Sequence, residues 1–178
     1  MNDSDRLIAG ILRVNHGGEH GAVAIYRGQI LAARLTAREL VAPLSTILAH
    51  EIRHRAVFQA LMPDRRARPC RLMLLWSLGG GLLGLATGLL GRRAIMTCTA
   101  AVERTVHQHL ADQKHWLAGR DEELALAIAE IEVEELEHLA FAEAGGPAEG
   151  PLARMIEAVT ETLIWLATRG GSTRLARC

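Results

Sequence analysis

The chain has 178 residues, 49% of them hydrophobic and 3% aromatic, and its 20 lysines and arginines balance its 20 aspartates and glutamates. That length is one domain with ample material for a core, and zero net charge supplies no global field to recruit nucleic acid. Leucine and alanine dominate over β-branched runs, a mix that favours helix over sheet. Cys70, Cys98 and Cys178 form no C-x-x-C pair and read as free thiols of a reducing compartment. The acidic opening Met1-Asn-Asp-Ser-Asp-Arg6 lacks the basic-then-apolar order of a signal peptide, so cytoplasmic residence is the expectation.

Asp3 or Ser4 can cap a first helix, whose apolar positions Leu7, Ile8, Ile11, Leu12, Val23, Tyr26 and Ile30 recur at helical spacing. Glu19 falls in line with Leu12, Ala22, Val23 and Tyr26, so it is expected to point inward, where a carboxylate is costly unless a cation meets it. The alternative is the edge of the stripe, with Glu19 in solvent. Gly17, Gly18 and Gly21 surround it and would let another helix or a ligand approach the backbone. Thr36-Ala-Arg-Glu39 fits a capping box and Pro43 suits a first helical turn. A second helix therefore begins between them and ends at Met62-Pro-Asp64. Its inward line is Leu44, Ile47, Leu48, Glu51, His54, Phe58 and Leu61, an apolar stripe interrupted by an acid and an imidazole.

Four arginines crowd Arg65 to Arg71, and no charge follows from Leu72 to Gly91. Such a run approaches the length of a membrane span, but Gly80, Gly84 and Gly88 recur every fourth residue, a spacing that permits close helix packing in lipid or in a bundle. The expectation is a basic loop against anionic head groups and an apolar segment that dips into one leaflet or caps the bundle. The alternative is a solvated loop and an ordinary core helix. Gly79-Gly-Gly-Leu-Leu-Gly84 satisfies the dinucleotide-binding pattern, but no strand–helix alternation surrounds it.

The next helix places Met96, Ala100, Glu103, Val106 and Leu110 on one line, with Gly119 as its stop. His107, His109 and His115 are expected in solvent or beside the inward acids. Asp121 caps the following helix, apolar at Leu124, Ile128, Ile131 and Leu139. Glu135 and His138 share that face, whereas Glu132, Glu134 and Glu137 are expected on the surface. Gly145-Gly-Pro147 closes it. A last helix runs from Pro151 to about Thr168, followed by a loose tail over 169–178.

Glu51-Ile-Arg-His54 and Glu135-Leu-Glu-His138 are the two Glu-x-x-His pairs of the chain. Positions i and i+3 share a helix face, so each pair can converge on one metal ion. Glu19 precedes Glu51 by 32 residues, and Glu103 precedes Glu135 by 32. That is a repeated helix hairpin with an acid at matching depth on every arm, which brings four acids together near mid-bundle. Four glutamates and two histidines are the ligand set of ferritin-like carboxylate bundles. The expected fold is all-α: a single domain, 1–178, with a ferritin-like four-helix bundle over about 3–145, an additional C-terminal helix and an apolar membrane-facing segment. Oxygen-rich ligation with two imidazoles suits iron or manganese, whereas structural zinc favours thiolates.

Arg13-Val-Asn-His-Gly-Gly-Glu-His-Gly-Ala22, Glu51-Ile-Arg-His54, Cys98-Thr-Ala-Ala-Val-Glu103 and Glu134-Glu-Leu-Glu-His138 resemble the demethoxyubiquinone hydroxylases of ubiquinone biosynthesis, over a stretch from about Leu7 to Trp165. The resemblance implies a membrane-associated di-iron monooxygenase that hydroxylates the quinone ring of a polyprenylated precursor. Its implied ligands are Glu19, Glu51, His54, Glu103, Glu135 and His138, with Glu51 and Glu135 bridging two iron ions per chain; manganese is the alternative metal. O2 would be the co-substrate and the reductant external, NADH or the quinol itself. The catalytic unit is the metal centre, with no separate catalytic residue assigned, and Tyr26 and His109 are candidates for touching substrate or ligands. The implied partners are the polyprenylated quinone and a membrane surface, bound peripherally at the cytoplasmic face. A homo-oligomer and accessory lipid-binding proteins stay open. Two departures stand out: Arg104 replaces a second acid after the ligand Glu103, and Leu110 follows His109 where the family has tyrosine. The rival functions are a ferritin-like iron-oxidising protein, a peroxide-reducing di-iron protein and a non-enzymatic membrane-surface bundle.

Overall fold

Stretches rich in leucine and alanine leave the helix as the local solution, and apolar positions three and four residues apart give each helix a face to bury. The computed structural model describes residues 3–145 and 149–168, which form α1 (Asp3–Thr36), α2 (Val41–Leu61), α3 (Met73–Leu89), α4 (Arg92–Leu117), α5 (Glu122–Ala144) and α6 (Pro151–Thr168). Among the described residues there is no strand. The expected tail over 169–178 with Cys178, the Gly146-Pro147 part of the α5 stop and the first two residues lie outside them.

Helices α1 and α2 pair as one hairpin and α4 and α5 as another, with α3 laid along α1 and α6 against α4 and α1. The bundle core divides into two apolar layers. At one end, Ile8 and Leu12 of α1, Phe58 of α2, Leu110 and Leu117 of α4 and Leu124 and Ile128 of α5 pack together. At the other, Tyr26 and Ile30 meet Leu44 and Ile47 of α2, Ile95 and Met96 of α4 and Phe141 of α5. Each bundle helix carries its inward acid between its contributions to these layers.

Short connections are set by local chemistry. Gly91 (φ 87°) and Gly119 (φ 72°) take left-handed backbone conformations between α3 and α4 and between α4 and α5. The Asp121 carboxylate accepts the Leu124 N–H at 3.1 Å, capping α5 as expected. Arg65 reaches both Asp121 oxygens at 2.6 and 2.7 Å and Glu123 at 2.8 Å. One arginine of the basic loop is thereby committed inside the protein and not held out to head groups.

The capping box at Thr36 does not form. Helix α1 continues through Thr36, whose hydroxyl lies 2.7 Å from the Gly88 carbonyl and 3.2 Å from that of Ala32. Glu39 faces Arg92 at 3.4 Å. Gly88 of α3, invisible to a local reading, supplies the acceptor that draws the threonine away from the start of α2.

The uncharged run is a helix packed along α1, and its glycines form the seam. A Cβ at Gly84 would collide with the Ile25 carbonyl, one at Gly80 with the Gly21 carbonyl and one at Gly88 with Ala32. Trp76 lies over Gly17 and Gly21, where an added Cβ would sit 2.9 Å from the indole. Gly17 and Gly21 therefore admit a neighbouring helix, whereas an added Cβ at Gly18 would meet nothing within 4 Å. The opposite side of α3 exposes Leu74, Leu75, Leu78 and Leu82. Among the described residues, no helix is long and apolar enough to cross a membrane.

This seam distinguishes two glycines of one helix. Gly84→Ala should cost about 1–3 kcal/mol by forcing α3 off α1, whereas Gly81→Ala, with nothing within 4 Å of an added Cβ, should gain up to about 1 kcal/mol from helix propensity. Denaturant unfolding of the two variants measures this; equal shifts would place the seam elsewhere.

Candidate metal centre

Between the two apolar layers the four bundle helices deliver six side chains to one point: Glu19 from α1, Glu51 and His54 from α2, Glu103 from α4, Glu135 and His138 from α5. All are buried, none more than 5% exposed. The i, i+3 spacing puts each imidazole one turn from its acid on the same face. Their ligating atoms form two overlapping sets, each within a 4.8 Å span: Glu19, Glu51, His54 and Glu135 in one, and Glu51, Glu103, Glu135 and His138 in the other. Glu51 and Glu135 belong to both.

The distances show atoms aimed at a shared centre. His54 Nδ1 is 2.9 Å from Glu135 Oε1 and 3.9 Å from Glu19 Oε2. His138 Nδ1 is 3.3 Å from Glu51 Oε1, 3.5 Å from Glu135 Oε2 and 4.0 Å from Glu103 Oε1. Yet His54 Nδ1, His138 Nδ1, Glu51 Oε1 and Glu135 Oε1 are buried without a hydrogen-bond partner. A buried polar atom left unpaired costs about 1–3 kcal/mol, and four of them converge here. Two cations sharing Glu51 and Glu135 would satisfy all four, and an oxygen-rich set with two imidazoles suits first-row divalent metals. The residues fit a two-metal centre.

Without cations such a cluster must hold protons. Burial, reinforced by the neighbouring carboxylates, raises the Glu19 and Glu103 carboxyls well above the usual range. Burial alone would also raise Glu135, but the His138 and His54 imidazoles close beside it hold it below its ordinary value. Conversely, burial pulls on both imidazoles, while Glu135 and its neighbours overcome it, lifting His54 and bringing His138 to about 9.

A ring of outer partners orients these groups. The Tyr26 hydroxyl donates to Glu103, and its own ionisation is driven well above the usual phenol value by burial and by Glu103. His54 Nε2 lies 2.7 Å from Glu134 Oε2, and Arg53 grips both Glu134 oxygens at 2.6 and 2.7 Å. His138 Nε2 lies 3.0 Å from His50 Nδ1. Two expectations therefore need correction. Glu134 is not a free surface charge but the outer partner of His54. Glu132 is buried on α5, paired with Lys114 of α4 and 3.5 Å from His107. Both were misplaced because the facing side of α4 or α2, not the α5 stripe, decides whether an acid there finds a cation. Glu137 and His115 are exposed as expected. His50, Arg53 and Glu134 escape a sequence reading altogether, since no spacing signals a partner on another helix.

A cavity of about 180 Å³ opens beside the acids, bounded by α1, α3, α4 and α6. Glu19, Glu51, Glu103 and Glu135 form its inner end, and Trp76, Leu83, Val106 and Ile156 are among its apolar walls. His109 lines it and is held by Glu161 of α6 at 3.1 Å. Asn15 and Gln113, also on the wall, bond each other reciprocally at 2.7 and 3.1 Å.

Residues 6–167 match the family described as ubiquinone biosynthesis protein COQ7. The chain belongs to that family. It is 40% identical over 168 residues to a Rhodospirillum rubrum protein named 3-demethoxyubiquinol 3-hydroxylase, covering 92% of this chain and 78% of the relative. It is 38% identical over 173 residues to the Dictyostelium discoideum protein named NADPH-dependent 3-demethoxyubiquinone 3-hydroxylase, mitochondrial, again covering 92% and 78%. The human protein of that name shares 36% over 177 residues, covering 94% of this chain and 80% of the relative. The family resemblance read from the motifs is thereby established.

The electrostatics give a signed pH dependence for the metal-free protein. Groups whose folded pKa is raised stabilise fully below their unfolded values and lose that contribution as pH rises. The loss from Glu19 and Glu103 begins above 4.5, and His138 adds to it between 6.5 and about 9. Glu135, depressed below 4.5, acts oppositely and weakens the fold only on acidification. Calorimetry on chelator-treated protein should show a lower Tm at pH 9 than at pH 6.5. Adding ferrous ion at pH 7 should raise Tm and release protons; proton-neutral binding would contradict the assignment.

Proposed function

We propose that this chain is a di-iron monooxygenase that hydroxylates the quinone ring of demethoxyubiquinol. The observation that carries the reading is the pair of buried ligand sets sharing Glu51 and Glu135 at the inner end of an apolar cavity. Glu19 and His54 would hold one metal, Glu103 and His138 the other, with Glu51 and Glu135 spanning both. Two iron ions held there supply O2 activation and redox chemistry; manganese is the alternative by donor type.

The protein's own residues do the rest. The cavity receives a ring at its inner end and gives an isoprenoid tail an apolar path between α3 and α6. The apolar layers above and below the acids exclude water, so that oxidising equivalents are directed at the ring and not at solvent. Tyr26 fixes the orientation of Glu103 through its O–H, and His109, anchored by Glu161, presents an imidazole to the cavity. Hydroxylation inserts one oxygen atom of O2 into a ring C–H bond and reduces the other to water, consuming two electrons and two protons from an external donor. The donor is a nicotinamide or the quinol itself, and the names of the Dictyostelium and human relatives support the nicotinamide. The glycine pattern Gly79 to Gly84 supplies no site for it, since it sits within α3 against α1.

Leu74, Leu78 and Leu82 of α3 and Val159 and Trp165 of α6 expose apolar surface on the two helices that flank the cavity. That surface supports peripheral contact with the bilayer in which such a substrate dissolves, and the buried free thiols Cys70 and Cys98 support its cytoplasmic face. Iron storage and peroxide reduction need no apolar channel of this kind.

Iron-loaded protein supplied with demethoxyubiquinol, O2 and NADH should form the hydroxylated quinol. Glu51→Ala removes a ligand of both metals, so it should cut turnover at least about 100-fold and lower the iron bound per chain. Unchanged turnover in that variant would reject the centre.

A further inference from the structure

The two ligand sets look alike in composition, one terminal glutamate and one histidine each, but their surroundings differ. This deepens the two-metal reading above and rests on it. His54 and His138 both aim Nδ1 at the shared carboxylates, so each must carry its proton on Nε2 if Nδ1 is to bind a metal, and each Nε2–H then needs an acceptor. For His54 that acceptor is a carboxylate, Glu134 Oε2 at 2.7 Å. For His138 it is another imidazole, His50 Nδ1 at 3.0 Å, which must be unprotonated to accept. A carboxylate behind a ligating histidine raises its donor strength and fixes its tautomer; a neutral ring does this more weakly.

The terminal acids differ in the same direction. Glu103 already accepts the Tyr26 O–H, which draws electron density from its carboxylate. The partner facing Glu19 is the Glu51 carboxyl, which a bound cation would displace, and not a fixed hydroxyl. Both differences strengthen the Glu19–His54 side and weaken the Glu103–His138 side.

We propose that Glu134 and His50 are positioning residues that make the two metal positions unequal, so that a divalent transition metal fills the Glu19–His54 position before the Glu103–His138 position. Arg53 serves the first of these by holding both Glu134 oxygens.

Cobalt(II) titrated into the metal-free, full-length protein at constant pH, followed by calorimetry and visible absorption, tests the order. Two like charges repel, so separate binding steps alone do not decide it; the step that each variant moves does. Glu134→Gln should weaken the first step by about 10- to 100-fold and shift the absorption of the first cobalt, with Glu134→Asp restoring both. His50→Ala should leave the first step in place and weaken the second, with His50→Gln, which keeps an acceptor, restoring it. Tyr26→Phe, at the other end of the asymmetry, should tighten the second step, and this variant keeps the test open should a Glu134 variant fold poorly. Equal weakening of both steps by Glu134→Gln, or weakening of the second step in place of the first, overturns the order while leaving the two-metal reading intact. Failure of the unmodified protein to bind cobalt overturns both.

Discussion

Four carboxylates within one layer of a helical bundle are the constraint to which the rest of this fold answers. An isolated ionised carboxylate cannot be buried without a counter-charge, and Glu19, Glu51, Glu103 and Glu135 are all at least 95% buried. Replacing buried ionised groups by well-packed hydrocarbon side chains of similar volume is often neutral or stabilising. The cluster is therefore a local conflict with the fold, and such conflicts mark functional sites. Leu12, Phe58, Leu110 and Ile128 on one side and Tyr26, Leu44, Ile95 and Met96 on the other hold the helices against that conflict. They also keep water out of the layer that carries the charge.

The same economy of space explains α3. A helix bearing ordinary side chains could not approach α1 closely enough to close the cavity. Glycine at positions 80, 84 and 88 lets backbone lie on backbone, while Trp76 fills the gap over Gly17 and Gly21. Because the seam consumes one side of α3, its leucines are left facing outward. Cavity wall and apolar outer surface are thus two sides of one helix.

What sequence shows and what it hides follow from how far each interaction reaches along the chain. The inward acids were legible because helical periodicity and the 32-residue offset are properties of single hairpins, and the i, i+3 pairing singled out Glu135 from the neighbouring Glu132, Glu134 and Glu137. The fate of those three was not legible. Glu132 is buried because Lys114 and His107 stand opposite it on α4, and Glu134 is engaged because His54 and Arg53 present themselves from α2. Nothing local to α5 encodes either fact. Thr36 and Glu39 failed as a capping box for the same reason: the competing acceptor, Gly88, lies 52 residues away.

The two departures from the family pattern separate cleanly in space. One residue along a helix turns a side chain about 100° away from its neighbour's face, so Arg104 points away from the acids that Glu103 joins. It bonds Glu143 of α5 and Glu157 of α6 at 2.9 Å each, and the charge acts as a strut between helices and not on the buried acids. Leu110 is different, since it is 2% exposed and sits both in the apolar layer and on the cavity wall. A leucine there offers dispersion contacts but no hydrogen bond. Polar character on this wall comes from other groups, His109, braced by Glu161, and the Asn15–Gln113 amide pair. Each of those amides spends one N–H on its partner and keeps a second. The polar groups on this wall thus sit on α1 and α4 side chains whose positions are already fixed by bonds within the protein.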